Sequence, residues 1–204
     1  MDTQFIFQIA VLIFSVIIHE VSHGYAAYLQ GDNTAKFQGR LSLNPLVHLD
    51  LFGSIILPTI SYLFGGFIIG WAKPVPFNPY NLRNQKWGEA IVAFAGPLSN
   101  ISLALVFGLL LRFGILASLG SGFVFIATII VFINLILAVF NLIPIPPLDG
   151  SKILFSLLPR NMVSVRNFLE RNGIFVLLFF VFFLWQFMIP VVYFLFSFIT
   201  GTGL

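Results

Sequence analysis

Cysteine is absent from this 204-residue chain, and charge is scarce, with Lys, Arg, Asp and Glu together supplying 8% of it. The first absence excludes disulfides and thiolate metal ligands, so the redox compartment cannot be read from the sequence. The second excludes an ordinary water-soluble domain, whose charged share is about 25%. Apolar residues fill the space instead: 59% of the chain is hydrophobic, and phenylalanine alone occurs 26 times. Mean hydropathy is +1.02. Several runs reach the ~20 apolar residues that cross a hydrocarbon layer of about 30 Å. The expected fold class is an all-α polytopic membrane protein in contact with a lipid bilayer. The net charge of +3 comes from cations in loops between apolar runs, which report orientation and do not point to nucleic acid.

Four segments are expected to cross the membrane: Phe5 to Leu29, Glu89 to Phe113, Gly122 to Leu142, and Ile174 to Ile199 with a bend at Pro190. Residues 1–18 lack a basic n-region and run straight into His19-Glu20, so they read as retained and not as a signal peptide. Residues 150–172 alternate cations with apolar residues. They suggest an interfacial helix with Lys152, Arg160, Arg166 and Arg171 toward the headgroups. The stretch Leu51–Trp71 is long enough to cross but is punctuated by Gly53, Pro58, Gly65, Gly66 and Gly70. It is expected to be a re-entrant element or a fifth span. The whole, residues 1–204, reads as one membrane domain, with a motif-bearing core at 5–158 and C-terminal interfacial and transmembrane helices at 150–204.

The chemistry concentrates in His19-Glu20-Val21-Ser22-His23, inside the first apolar run. Residues i and i+4 lie about 400° apart around a helix, so both imidazoles share one face and can grip one zinc ion. Glu20 is placed to act on a water there as general base. With three histidines among 204 residues, chance would produce this pattern on the order of 10⁻³ times. A third ligand must come from His48 or from Asp2, Asp32, Asp50, Glu89, Asp149 and Glu170. Asp149 is favoured, because Pro144-Ile145-Pro146-Pro147 should break the preceding helix and Gly150 permits close backbone approach. It could also cap the helix that begins near Ser151.

Three segments together resemble the signatures of the site-2 protease family of intramembrane zinc metalloproteases, peptidase family M50. They are His19–His23, Ala95-Gly96-Pro97-Leu98-Ser99-Asn100, and Asn141-Leu142-Ile143-Pro144-Ile145-Pro146-Pro147-Leu148-Asp149-Gly150. Leu43-Asn44-Pro45 and Gly70-Trp71-Ala72-Lys73-Pro74-Val75-Pro76 resemble its compact prokaryotic branch, without a PDZ or CBS domain. The resemblance implies one Zn²⁺ held by His19, His23 and Asp149, with Glu20 catalytic. It implies hydrolysis of a peptide bond in or near a transmembrane segment of a membrane-protein substrate. Asn141 is implied to hold substrate or the oxyanion, or else to bridge helices. Asn100 is expected to cap or bridge helices, Gly96 and Pro97 to serve packing, and His48 to be a loop residue. Substrate choice would fall to the membrane core, a regulatory membrane partner or a homo-oligomer. A metal or proton transporter and an inert protease-like scaffold are the rival classes.

His19 lies about 22 Å along its helix, past the midplane, so the ion sits toward the side where loop 31–50 emerges. Asp149 reaches that side only if residues 51–71 return to it. Lys36, Arg40, Lys73, Arg83, Lys86, Lys152, Arg160, Arg166 and Arg171 then share one face, with Arg112 opposite. The positive-inside rule makes the basic face cytoplasmic, in a cell membrane, with the N-terminus outside. Residues 53–76 further suggest a strand edge for an unwound substrate segment.

Overall fold

The computed structural model describes residues 3–56, 60 and 72–202. In hydrocarbon every backbone polar group must be satisfied within the protein, and a helix does so within one segment. The apolar runs accordingly form α1 (Thr3–Leu29), α3 (Gly88–Arg112) and α4 (Ser121–Asn141), each long and apolar enough to cross a membrane. A single turn, α2 (Thr34–Phe37), follows α1, and α5 (Asp149–Leu157), α6 (Val163–Phe179) and α7 (Trp185–Thr200) complete the chain. No strand occurs among the described residues. The three expected spans at 5–29, 89–113 and 122–142 lie within two residues of the observed helices. The chain is a multi-pass membrane protein.

The C-terminal part differs from expectation in two ways. The fourth span is not one helix bent at Pro190. Instead, α6 passes through a π-helical turn at Phe180–Leu184 into α7, and the two arms meet at 70°. An i→i+5 turn carries an extra residue and redirects the helix, while Pro190 sits inside α7. Nor do residues 150–172 form a single interfacial helix. Pro159 lacks an amide hydrogen and disfavours helix at the residue before it, so α5 stops at Leu157 and α6 begins at Val163. α5 buries Gly150, Ser151 and Phe155, whereas the start of α6 is exposed and pairs Arg166 with Glu170 at 2.9 Å.

Helix α3 is the axis of the bundle and packs against α1, α4, α5 and α7. Lipid offers no hydrophobic drive for helix association, so small residues that let backbones approach are the main device. A Cβ on Gly108 would lie 2.3 Å from Ile199 Cγ2, which fixes the crossing of α3 and α7. Ala104, Val131, Leu135, Val192, Phe196 and Ile199 seal that end. At the other end Gln30, just past α1, accepts from the Arg83 amide at 2.8 Å and donates to Gly88 O at 3.2 Å. The end of α1 and the start of α3 are therefore neighbours.

This closure answers the question posed by residues 51–71. The Lys73 amide donates to His48 O at 2.9 Å. Arg40, 6% exposed, clamps both ends together by donating to Val47 O, to Lys73 O at 2.7 Å and to Pro74 O at 3.1 Å. A single crossing would leave those ends about 30 Å apart. The excursion thus starts and finishes on one side, opening with a π-helical turn at Leu51–Ile56. Residues 57–59 and 61–71 lie outside the described residues, and with them most of the expected re-entrant path and strand edge.

Candidate metal centre

His19 and His23 lie on one face of α1 and are 6% and 8% exposed. Their Nε2 atoms are 3.1 Å apart. Asp149, the first residue of α5, brings Oδ2 to 3.1 Å from His19 Nε2 and 3.3 Å from His23 Nε2. The capping role weighed for Asp149 is not what its side chain performs: Leu148 holds the cap position. The prolines do end α4 before the aspartate, and Gly150 does allow close approach. A Cβ there would lie 2.3 Å from Leu142 O.

The hydrogen-bond network places a proton on Nδ1 of each imidazole. His23 Nδ1 lies 2.7 Å from Val92 O, a carbonyl that can only accept, so Nδ1 carries the proton. For His19 the network runs through α1, α3 and α4. The Asn134 amide nitrogen donates to Ile130 O at 2.8 Å and to Ser15 Oγ at 2.9 Å, which turns its oxygen to Asn100. Asn100 donates to that oxygen at 2.8 Å, so its own Oδ1 faces His19 Nδ1 at 2.6 Å and must accept. As neutral rings, both imidazoles therefore turn the Nε2 lone pair to the same point as a carboxylate oxygen.

Two imidazole nitrogens and a carboxylate oxygen within 3.3 Å of one another repel unless a proton or a metal ion joins them. Asp149 Oδ2 is buried without a hydrogen-bond donor. A tetrahedral ion with ligand bonds of roughly 2.0–2.1 Å separates its ligand atoms by about 3.3–3.4 Å. The donor set fits a metal ion in type, tautomer and spacing. His48 stays outside it, buried in the loop with Nε2 donating to Ser42 O at 2.7 Å.

Glu20 opens on a cavity of about 230 Å³ that also contains the three donors, Asn141 and Lys152. Its Oε2 accepts from the Val75 amide at 2.8 Å. Asn141 donates to Leu137 O at 3.0 Å, within its own helix, and lines the cavity. A larger hollow of about 320 Å³, bordered by Tyr25, Tyr28 and Lys36, holds neither histidine nor acid. There Lys36 already bonds Tyr28 Oη at 3.1 Å.

Several contributors were not singled out by sequence reasoning. Lys152, expected at the headgroups, borders the cavity because α5 packs inward. Asn134 and Ser15 extend the Asn100 bridge, and a polar residue buried in an apolar span was the available signal. Gly96 does more than pack helices. A Cβ there would lie 2.5 Å from His23 Nε2 and 2.6 Å from His19 Cε1, so only glycine lets α3 pass the imidazoles.

The model of "Peptidase family M50" matches residues 7–123 and 115–184, most of the chain. The chain belongs to peptidase family M50. Among curated M50-like relatives, "Putative zinc metalloprotease YwhC" of Bacillus subtilis is 40% identical over 173 residues, covering 82% of this chain and 76% of that protein. "Putative zinc metalloprotease Rip2" of Mycolicibacterium smegmatis is 34% identical over 149 residues, covering 72% of this chain. The match spans 55% of that relative's length. No solved structure matches the chain.

Proposed function

We propose that this M50 member is an intramembrane zinc protease that hydrolyses a peptide bond in or near a transmembrane segment of a membrane-protein substrate. The observation that carries the reading is the convergence of two imidazole nitrogens and a carboxylate beside Glu20, in a cavity at one end of a membrane bundle. His19, His23 and Asp149 would hold one Zn²⁺, a choice of ion supported by the names of the relatives. When bound, zinc supplies Lewis acidity toward a water molecule and toward the scissile carbonyl.

The chain's own groups do the rest. Glu20 takes a proton from the attacking water and returns it to the leaving amine. Asn141, at the cavity wall, steadies the substrate backbone or its developing oxyanion. Asn100 and Val92 O hold the imidazoles in the tautomer that leaves Nε2 free. Pro74, Val75 and Phe77 border the cavity beside Glu20, where an unwound substrate could lie. Crosslinking of a bound substrate to these residues tests that placement, and consistent absence of a crosslink would count against it.

The cluster Ala104, Val131, Leu135, Val192, Phe196 and Ile199 closes the bundle beyond the polar network. This argues against a transport path. The basic face favours a cytoplasmic centre in a cell membrane, with substrate choice left to the membrane core, a partner or a homo-oligomer. Purified protein is expected to hold about one zinc and to cleave a transmembrane test substrate. Glu20→Gln should retain the metal and lose cleavage. Undiminished cleavage by that variant would overturn the role of Glu20.

A further inference from the structure

The stretch Lys73-Pro74-Val75-Pro76 reaches the cavity wall with very few donors. Proline has no amide hydrogen, and the Lys73 amide is bound to His48 O. Val75 therefore carries the one amide that Pro74–Pro76 can turn toward the site, and it donates to Glu20 Oε2 at 2.8 Å. Its side chain is 5% exposed and lies against α1 where Gly24 leaves room. A Cβ on Gly24 would come within 2.8 Å of Val75 Cγ1. Behind the strap, Arg40 bonds Lys73 O and Pro74 O, the carbonyl that shares its peptide unit with the Val75 amide.

We propose that the Val75 amide, held by the Arg40 clamp, is a positioning element for Glu20, fixing one carboxylate oxygen so that the other faces the reacting water. This rests on the reading of Glu20 as general base. A hydrogen bond to an ionised carboxylate is short and strong. It restricts a flexible side chain to one orientation, and misplacement of a reacting group by about 1 Å can cost on the order of 100-fold in rate. Because Arg40 also grips Val47 O, the same clamp ties the base of the 49–72 excursion to the general base.

A packing role and a positioning role separate when the amide and the side chain are altered independently. Val75→Ala keeps the N–H and removes packing, Val75→Pro removes the N–H, and replacing Val75 by its α-hydroxy acid removes the N–H with shape unchanged. Each is made in the full chain, loaded with zinc, and assayed on the transmembrane test substrate beside wild type and Glu20→Gln. With zinc content and KM held, the two amide-lacking forms should lose roughly 10- to 100-fold in kcat, while Val75→Ala stays near wild type. Arg40→Gln should lower kcat in the same direction, and its effect should be less than additive with the hydroxy-acid change. In metal-free protein, the infrared carboxylate band lost in Glu20→Gln should shift when the Val75 amide is replaced. An unmoved band, full kcat without the amide, or equal losses in Val75→Ala and the hydroxy-acid form would each overturn the proposal. Cleavage that persists in Glu20→Gln would instead sink the reading of Glu20, while the infrared result would still decide whether the amide holds the carboxylate.

Discussion

Gly96 shows how one missing methyl group can decide a metal site. A Cβ at 2.5 Å from His23 Nε2 has nowhere to go except into the imidazoles or against α1. Gly96→Ala should therefore weaken zinc binding by at least ~10–100-fold, the loss typical of a disturbed outer shell, as measured by chelator competition. Unchanged affinity would show that the helices separate freely. Asn100→Leu removes the acceptor from His19 Nδ1 and should weaken zinc by a similar ~10–100-fold. Asn134→Leu, one step further away, should weaken it less.

Among the elements, the loops carry more of the architecture than their polarity suggests. Asp32 is fully buried. It accepts from the Thr34 amide and hydroxyl, the Asn78 amide at 2.8 Å and Asn81 Nδ2 at 2.8 Å. Burial alone would raise its pKa, but the hydrogen bonds outweigh it and hold the carboxyl below its ordinary value. A depressed folded pKa gives stability that is present above the unfolded value and lost as pH falls through the folded one. Thermal stability should therefore fall on acidification below the ordinary carboxylate range, and Asp32→Asn should flatten that dependence. Asp32→Ala should cost about 2–3 kcal/mol by leaving buried donors unpaired. The closed base of the 49–72 excursion makes a second prediction at this scale. Because the chain has no cysteine, single cysteines at Ser42 and Phe77 can be labelled cleanly, and both should react from the same face of the membrane. Labelling from opposite faces would contradict the clamp.

For the molecule as a whole, the metal is expected to act as a cross-link between α1 and α5. A ligand that binds only the folded state stabilises it by about 2.7 kcal/mol at 100 times its Kd. Chelation should lower the unfolding temperature of the wild type and leave His23→Ala unmoved.

The solvent class, three of the spans and the pairing of His19 with His23 were legible in the sequence, because hydrocarbon and the helical repeat are local constraints. Asp149 is one of several acids in the sequence, distinguished by the prolines before it and by family likeness. The bend at Phe180–Leu184 was not legible, because nothing in that run of apolar residues signals a π turn. Tertiary structure alone decided what reaches those local features from afar. Asn100 meets His19 across 81 residues, Ser15 meets Asn134 across 119, and the Val75 amide meets Glu20 across 55. Such meetings have no period in the sequence. They exist because α1, α3 and α4 pack closely enough to force buried polar groups to find one another, and because a clamped loop returns the Val75 amide to the carboxylate it left behind.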